Sequence, residues 1–506
     1  MQEESNNKRI AKNTLYLYIR MLVSMAITLY TSRVILKTLG IDDFGIYNIV
    51  GGIIVLFGFV SHSLRTATQR FISFHLGQEN QNEVNKSMNM SLQCHLLIAV
   101  AMTILAETIG LWFVTNKLNI PEARLSAALW VYQFSILTFI VNIFQAPYQA
   151  VIISYEKMSF YAGISIVDVI LKLAIVYLLL LSNIDKLILY SLLMLVVSVI
   201  SLVLPMIYCY KIIGLGRPAI IKDKKLFKEI FGFAGWSMIT GCAFIGTQQG
   251  GNILLNVYSG VAANGAFGIA NQVTNAVYGF VSNFQSAFNP QIVKYYSAGK
   301  YKEMYTLLNR SASFSYYLYL LLAVPFLSQT DYILTLWLGE SPQYAAGFCQ
   351  LLLVYFIVDA IQAPLWMLIG ATGKIKVYSI YSGTISLLSI PIAWLMLSLG
   401  CSIYWVFIMR VIMNVVLGII RPFYLHTLIP SFSVKDYLHS ALKRAFFVTI
   451  ILAIFLCVIT LYTNEMNKIV VIGASFFFTA FIIWTIGLNS NDRKALISIM
   501  VNKTKR

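Results

Sequence analysis

The sequence predicts an all-α polytopic membrane protein with fourteen transmembrane helices. Of its 506 residues, 58% are hydrophobic and only 11% are charged, whereas a soluble protein carries roughly 25% charged residues. Apolar runs long enough to cross a bilayer recur from one end of the chain to the other. Short sequence matches also relate the two halves of the chain. We therefore expect two parallel six-helix repeats, an N-lobe and a C-lobe, followed by two extra C-terminal helices.

Apolar runs, separated by charged or Gly- and Pro-rich breaks, define the spans to within about four residues at each end. They are 14–36, 44–64, 90–114, 127–153, 159–181, 187–210, 231–256, 263–288, 308–330, 346–369, 377–398, 402–424, 442–462 and 467–488. The longest connections are expected near 65–88, 211–230 and 425–441. None of them is long enough to hold a soluble domain.

The lysines and arginines are distributed unequally between the connections predicted for the two sides of the membrane. An even number of spans places both termini on one side, and the connections on that side hold 28 of the 37 Lys and Arg, against 5 on the other side. The positive-inside rule then predicts that both termini are cytoplasmic. The net charge of +17 is spread over eight separate segments. This distribution argues against a nucleic-acid partner.

A repeat relates spans 1–6 to spans 7–12. FQAPYQAV (144–151) matches IQAPLW (361–366) at an offset of 217, and FGIYN (44–48) matches FGIAN (267–271) at an offset of 223. Six is an even number of crossings, so both copies face the same way, as in carriers with parallel repeats.

The earlier part of the repeat also pairs Gly77 with Gly299. The predicted domains are an N-lobe (1–212), a basic cytoplasmic linker (213–228), a C-lobe (229–428), and the extra helices with a cytoplasmic tail (429–506).

The two QAP motifs place Pro147 in span 4 and Pro364 in span 10. Proline removes a backbone donor and clashes with the preceding turn of a helix, so we expect a hinge at each position. Three residues before each Gln lie Asn142 and Asp359, respectively. Only the C-lobe therefore has an ionisable group at this point.

Ionisable side chains inside spans are costly, so each needs a partner, a wet cavity or a route to the interface. Asp168 and Lys172 are one helical turn apart, which predicts either a self-neutralised pair or a proton-coupled or substrate-linked pair. Asp359 and Arg410 lie at similar depths in the C-lobe. Either a structural ion pair or a role in coupling fits these two residues.

Basic and amide side chains indicate a polar cavity. Span 1 carries Arg20 and Arg33, of which Arg33 lies near the outer end and can instead snorkel. Arg65 and Arg70, at the inner end of span 2, either line a cytoplasmic mouth or anchor the helix. Spans 7 and 8 are rich in amides, which suit sugar hydroxyls in a cavity or hydrogen bonds between helices. The amide candidates for the cavity are Gln248, Asn252, Asn271 and Asn275.

The segment TSRVILKTLGIDDFGIYNIVGGIIVLFGFVSHSLRTATQRFIS (31–73) contains Arg33 at the end of span 1, then Leu39-Gly40 and FGIY (44–47). This pattern resembles the opening of the Wzx-type polysaccharide flippases of the multidrug/oligosaccharidyl-lipid/polysaccharide (MOP) exporter superfamily. The resemblance extends over essentially the whole chain through the layout of six, six and two spans.

The resemblance implies a cavity lined by spans 1, 2, 7 and 8, in a multi-pass protein of the bacterial inner membrane. It implies that an undecaprenyl-diphosphate-linked oligosaccharide is flipped to the periplasmic leaflet by alternating access coupled to an ion gradient, in O-antigen and lipopolysaccharide synthesis. An Arg-bearing cavity suits a diphosphate. The expected partners are this substrate, membrane lipids and other polysaccharide-assembly membrane proteins. No cofactor, metal or catalytic residue is expected.

Two alternatives remain. A cation-coupled multidrug exporter of the same superfamily typically places acids in span 1 and in spans 7–8, but this chain has no Asp or Glu between Glu229 and Glu303. A membrane polysaccharide polymerase or acyltransferase usually needs a large periplasmic loop or a histidine motif, and the five histidines form neither an HxxxxD motif nor a metal-binding spacing. The sequence therefore favours a transporter of an anionic or glycan substrate.

Overall fold

A computed structural model describes residues 2–55, 58–116, 120–339, 341–462, 467–490 and 492–493. Every element of secondary structure in those ranges is a helix, which confirms the predicted fold class. By packing, the chain divides into an N-terminal unit, Ile10–Met238, and a C-terminal unit, Ile239–Arg506 together with Met1–Arg9. The division lies inside a helix, ten residues beyond the predicted start of the C-lobe.

The helices of the N-terminal unit follow the six predicted spans. They are α1 (Gln2–Val55), α2 (Gly58–Gly77), α3 (Gln81–Leu105), α4 (Leu111–Asn116), α5 (Glu122–Ser154), α6 (Met158–Leu181) and α7 (Lys186–Tyr208). A π-helical turn, Ala106–Gly110, joins α3 to α4. A second one, Cys209–Ile213, extends α7.

The C-terminal unit repeats this order and adds two helices. Its elements are α8 (Lys224–Ser297), α9 (Tyr301–Ser328), α10 (Thr330–Leu338), α11 (Ala345–Thr372), α12 (Lys376–Ser398), α13 (Trp405–Leu428), α14 (Val434–Tyr437), α15 (Lys443–Tyr462) and α16 (Lys468–Ile482). Helix α8 begins in the N-terminal unit and continues across the division.

Eleven helices within the described ranges are long and apolar enough to cross a membrane. They coincide with predicted spans 3–7 and 9–14. The described residues of predicted spans 1, 2 and 8 are also helical, in α1, α2 and α8; residues 56 and 57 of span 2 lie outside the described residues. Large apolar side chains such as Leu181 (83% exposed) and Phe477 (73% exposed) point outward. Such an apolar exterior is expected of a protein whose solvent is lipid.

Two glycines interrupt long helices at equivalent points of the repeat. In α1, Gly40 has φ 82° and ψ 169°, and in α8, Gly260 has φ 75° and ψ −171°. This backbone region is essentially restricted to glycine. The two kinks are 220 residues apart, and each separates two successive predicted spans. The repeat is therefore visible in the backbone itself.

The following turns show the same offset of 220. Helix α2 is followed by a turn with Glu79 at φ 56°, and α8 by a turn with Gly299 at φ 69°. Asn80 N donates to the His75 carbonyl, and Lys300 N donates to the Tyr295 carbonyl. The predicted match of Gly77 with Gly299 is thus wrong by two residues, because the left-handed position in the first copy is Glu79. The FGIYN–FGIAN match at 223 is displaced by three residues, about one helical turn.

The offset of 217 holds at the other end of the repeat. Helix α5 is followed by Glu156 with φ 58°, and α11 is followed by Gly373 with φ 77°. Glu156 N donates to the Ile153 carbonyl, and Gly373 N donates to the Gly370 carbonyl. The two donors are 217 residues apart, and so are the two acceptors. The QAP motifs therefore occupy equivalent positions, as the sequence predicts.

The connection predicted near 65–88 is wrong. Helix α2 continues to Gly77, and α3 begins at Gln81 after a short turn. The hydropathy pattern marks only the apolar part of a helix, whereas backbone hydrogen bonds carry these helices into the polar region, where Arg70 and Lys86 lie. Polar side chains therefore mark the end of the membrane span, whereas the helix continues beyond it.

A short extended segment, 214–223, precedes α8 and runs along α3. Asn85 accepts a hydrogen bond from Gly216 N at 3.0 Å, and Asn89 Nδ2 donates to the Arg217 carbonyl at 3.4 Å. Gln93 pairs with both backbone groups of Ile221, at 2.7 and 3.2 Å. We call this segment the strap. It has no regular secondary structure, so the α3 amides satisfy backbone groups that would otherwise need water.

Candidate functional site

The acid beside the second QAP motif lies inside the C-terminal unit. Asp359 is on α11, partly buried, and accepts a hydrogen bond from the hydroxyl of Tyr278 on α8 at 2.7 Å. The Tyr278 ring stacks on Phe356, with centroids 4.5 Å apart. The repeat-related residue Asn142 is exposed, and the position related to Tyr278 by the offset of 220 is Gly58. This acid–tyrosine pair therefore belongs to one copy of the repeat only.

The glutamine of the same motif connects α11 to α13. Gln362 is 4% exposed, and its Nε2 donates to the Asn414 carbonyl at 3.2 Å. Its Oε1 accepts from Arg421 Nη1 at 2.5 Å. A Cβ at Gly418 would lie 2.5 Å from Gln362 Nε2, so the small residue is needed for this approach. The network continues through Arg421 Nε to the Tyr378 hydroxyl at 2.8 Å.

The suggested ion pair between Asp359 and Arg410 does not form. No ion pair joins these two residues in the described part of the chain. Arg410 instead places its guanidinium over the ring of Tyr355, 5.4 Å from the centroid, while the charge of Asp359 acts on Arg421. The prediction rested on the similar depths of the two residues within their spans. The direction of the Arg410 side chain on α13 instead brings it to Tyr355.

The N-terminal unit carries a different polar chain. Gln145 of the first QAP motif donates to the Ser201 carbonyl on α7 at 2.6 Å. The Ser201 hydroxyl donates to Asp168 Oδ1 at 2.8 Å, and Asp168 pairs with Lys172 at 2.8 Å. The predicted pair on α6 is thus present, and Ser201 adds a link to α7 that sequence spacing did not indicate.

The predicted basic residues of the N-terminal unit have separate partners. Arg20 lies over the ring of Tyr161 at 5.0 Å, and Arg65 donates to Gln149 Oε1 at 3.3 Å. Arg70 contacts the rings of Phe71 and Phe74, at 4.6 and 4.7 Å. The side chain of Arg33 lies outside the described part of the structure. The other three contact four different side chains, three aromatic rings and one amide.

The amides of α8 bond to one another within the C-terminal unit. Gln248 Nε2 donates to Asn271 Oδ1 at 2.9 Å, across the kink at Gly260. Asn264 donates to the Asn252 carbonyl at 2.8 Å, and Asn256 donates to Asn264 at 2.9 Å. Asn275, the fourth predicted amide, is exposed. These bonds join the two halves of α8 across the kink. The exposed amide of Asn275 is accessible to a ligand.

The prolines of the QAP motifs lie inside continuous helices. Pro147 is buried in α5 and Pro364 in α11. Both helices continue through their prolines, and the Gln two residues earlier bonds to another helix in each unit. The hinge role of both prolines stays a prediction.

An apolar cavity of about 780 Å³ lies in the C-terminal unit, between the added helix α15 and helices α9, α11 and α13. Leu320, Val358 and Phe446 are typical of its lining. Lys443 is the one charged side chain among the described residues that line it, and Gln362 contributes the amide. The sequence indicated no such cavity, because its walls come from four helices far apart in the chain.

A three-residue charge cluster fixes one end of the N-terminal unit. Arg124, at the start of α5, contacts Asp43 Oδ2 of α1 and Asp185 Oδ2 before α7, both at 2.5 Å. The hydrogen bond from Arg124 lowers the pKa of the Asp185 carboxyl. Asp185 also caps α7 by accepting from Leu187 N. The sequence does not indicate this cluster, since nothing in the spacing of 43, 124 and 185 relates the three residues.

Two six-helix repeats with polar networks inside each, followed by two added helices, define a multi-pass membrane transporter with an internal duplication. The chain belongs to the MatE family, whose model matches residues 16–178 and 237–395. One match falls in each repeat, and both end before the added helices. The predicted membership of the exporter superfamily is confirmed at this level, whereas the flippase subfamily stays a prediction.

A relative from Bacillus subtilis (strain 168), named uncharacterized membrane protein EpsK, is 22% identical over 374 residues, which are 74% of each chain. The structure of a MATE mutant superposes with a TM-score of 0.73 at 12% identity, covering 84% of this chain and 97% of that chain. An outward-facing multidrug resistance MATE family transporter superposes with a TM-score of 0.66 at 13% identity, covering 83% and 97%.

A third structure is that of a MOP superfamily transporter from Pyrococcus furiosus Vc1. Its TM-score is 0.67 at 13% identity, and the match covers 85% of this chain and 96% of that chain. That protein is described as having a binding pocket of reverse polarity, suggesting a different function. At such identities these structural matches show the fold that the chain shares with them.

Proposed function

We propose that this protein is a flippase that moves an undecaprenyl-diphosphate-linked oligosaccharide from the cytoplasmic to the periplasmic leaflet of the bacterial inner membrane. The observation that carries the proposal is the apolar cavity of about 780 Å³ against the added helix α15. A cavity of this size and polarity suits a long apolar chain. Lys443, at its edge, supplies a cation for a phosphate group.

The polar residues support a glycan or anionic head group. Spans 7 and 8 carry many amides, and no Asp or Glu occurs between Glu229 and Glu303. Amides both donate and accept hydrogen bonds, as sugar hydroxyls do. A cationic drug finds no carboxylate on these helices, whereas Arg20 and Arg65 in the N-terminal unit suit a negative charge.

Energy coupling is assigned to the C-terminal unit. Asp359 on α11 accepts a hydrogen bond from Tyr278 of α8, and three residues further along α11 Gln362 accepts one from Arg421 of α13. A change in the charge of Asp359 would act directly on the hydrogen bond that joins α11 to α8. We assign the coupling of transport to an ion gradient to this residue, with Arg410, Asp168 and Lys172 as further participants.

Export of cationic drugs is the second candidate function. It is favoured by the name of one structural neighbour, a multidrug resistance transporter. The fold alone does not select between the two substrates, because another neighbour of the same superfamily is described as having a pocket of reverse polarity. The charge of the residues that meet the substrate decides between these functions.

Reconstituted protein distinguishes the two functions. We expect purified protein in proteoliposomes to flip a fluorescent undecaprenyl-diphosphate-linked oligosaccharide and to leave ethidium accumulation unchanged under the same gradient. In Ala453→Trp the new ring fills the cavity beside α15, so flipping should fall about fivefold. Ala474→Trp, on an exposed position of α16 outside the cavity lining, is the matched control. Ethidium transport without lipid flipping would replace the flippase by the exporter.

A further inference from the structure

Arg410 is a buried cation, and two of its nitrogens lack an acceptor in the part of the chain that the structure describes. It is 6% exposed, and its Nε and Nη1 are shielded from solvent with no hydrogen-bond partner among the described residues. The ring of Tyr355 covers the guanidinium, 5.4 Å from its centroid. Arginine stays charged in proteins. The stacking partner supplies a quadrupole but no hydrogen-bond acceptor at these two nitrogens.

The charges nearby do not balance. Two arginines of α13, Arg410 and Arg421, are both buried. Asp359 already accepts from Tyr278, and its charge acts on Arg421, which is also hydrogen-bonded to Gln362. An uncompensated buried charge is strongly destabilising. A further negative charge beside Arg410 would compensate this buried cation.

We propose that Arg410, together with Tyr355, binds a small inorganic anion such as chloride. Arg410 does not line the apolar cavity beside α15, so this position is separate from the cavity that we assign to the substrate. Apolar neighbours on the same helix, Phe407 and Met409, are 1% and 7% exposed. The enclosure favours a monatomic, weakly hydrated anion that two N–H donors can hold.

The site belongs to one copy of the repeat. At the offset of 217, Arg410 corresponds to Leu193 and Tyr355 to Thr138, so the N-terminal unit has neither the cation nor the ring. The anion site does not depend on the proposed substrate, since all its residues lie within the C-terminal unit. An exporter of drugs with the same C-terminal unit would bind the same anion.

Thermal unfolding of the purified protein in detergent tests the site. At constant ionic strength, replacing sodium gluconate by sodium chloride should raise the Tm of the wild type saturably, by roughly 3 °C or more. Arg410→Gln should abolish the rise. Arg65→Gln, which removes an arginine hydrogen-bonded to Gln149, should retain it. Equal Tm values of the wild type in chloride and gluconate would overturn the proposal.

A second measurement uses the wild-type protein alone and therefore does not depend on the folding of a variant. In crystals of the wild type grown in bromide, the anomalous difference map should show a peak beside the Arg410 guanidinium. A map without a peak there rejects the site. In Asp359→Asn the chloride effect on Tm should persist; its appearance only in that variant would show that Asp359 is the true partner of Arg410.

Discussion

At the residue scale, the glutamine of the QAP motif makes the same kind of hydrogen bond to another helix in both units. Gln145 and Gln362 each donate to a backbone carbonyl of the last helix of their six-helix repeat, Ser201 on α7 and Asn414 on α13. The side-chain oxygen of Gln362 also accepts from Arg421. The motif therefore tethers two helices in both units, and only the second copy adds a buried charge.

The asymmetry between Asp359 and Asn142 leads to a prediction on transport. Asp359→Asn keeps the size of the side chain but removes the charge that acts on Arg421, so substrate flipping in proteoliposomes should fall roughly tenfold, equivalent to about 1.4 kcal/mol. Asn142→Ala, at the exposed equivalent position, should reduce flipping less. Equal activity of Asp359→Asn and the wild type across pH and ion gradients would exclude Asp359 from coupling.

At the scale of elements, α3 shows a function that hydropathy does not reveal. Asn85, Asn89 and Gln93 are each four residues apart, which places them along one face of the helix. All three hold the backbone of the strap, and Lys86 adds an ion pair with Asp223 at 2.9 Å. The connection to α8 is thus attached to the N-terminal unit along its length.

Hydrogen–deuterium exchange checks this attachment. In Asn85→Ala/Asn89→Ala, the strap loses an acceptor for Gly216 N and a donor to the Arg217 carbonyl. Exchange of a peptide covering 214–223 should accelerate about fivefold or more, because local opening becomes easier. Asn82→Ala, on the exposed first turn of α3, is the control and should leave the peptide's exchange unchanged. Unaltered exchange in the double variant would show that other contacts hold the strap.

At the scale of the whole molecule, the internal repeat organises the chain. Equivalent glycine kinks, turns and QAP motifs recur at offsets of 220 and 217. The change of offset means that the second copy is three residues shorter than the first. The difference lies between the turn at Glu79 and the turn at Glu156 in the first copy, which correspond to Gly299 and Gly373 in the second. The backbone plan is thus conserved within the molecule while the buried polar residues diverge.

The repeat predicts equal energetic roles for its two kinks. No atom of the described residues lies within 4 Å of a Cβ at Gly40 or Gly260, so the cost of adding one comes from the backbone angles. Gly40→Ala and Gly260→Ala should each destabilise the protein by about 1–3 kcal/mol. Thermal unfolding in detergent should show similar decreases in Tm. A decrease at only one position would show that the two kinks are not equivalent.

The sequence by itself predicted the all-α membrane fold, the repeat and, through a resemblance to known flippases, the exporter superfamily. The fold and the repeat follow from patterns along the chain, namely the length of the apolar runs and matched motifs such as QAP, and the fourteen predicted spans are consistent with the eleven spanning helices of the described residues. The Asp168–Lys172 pair was predictable for the same reason, since its geometry is set by one turn of one helix.

Only the tertiary structure decided which distant side chains meet. Arg410 contacts Tyr355 rather than Asp359, Arg124 joins Asp43 to Asp185, and the cavity beside α15 is formed by four separate helices. Helix packing sets the rotation of each helix about its axis, and sequence spacing carries no information on that rotation between helices. Local periodicity therefore specifies the elements, whereas the buried contacts between them specify the site.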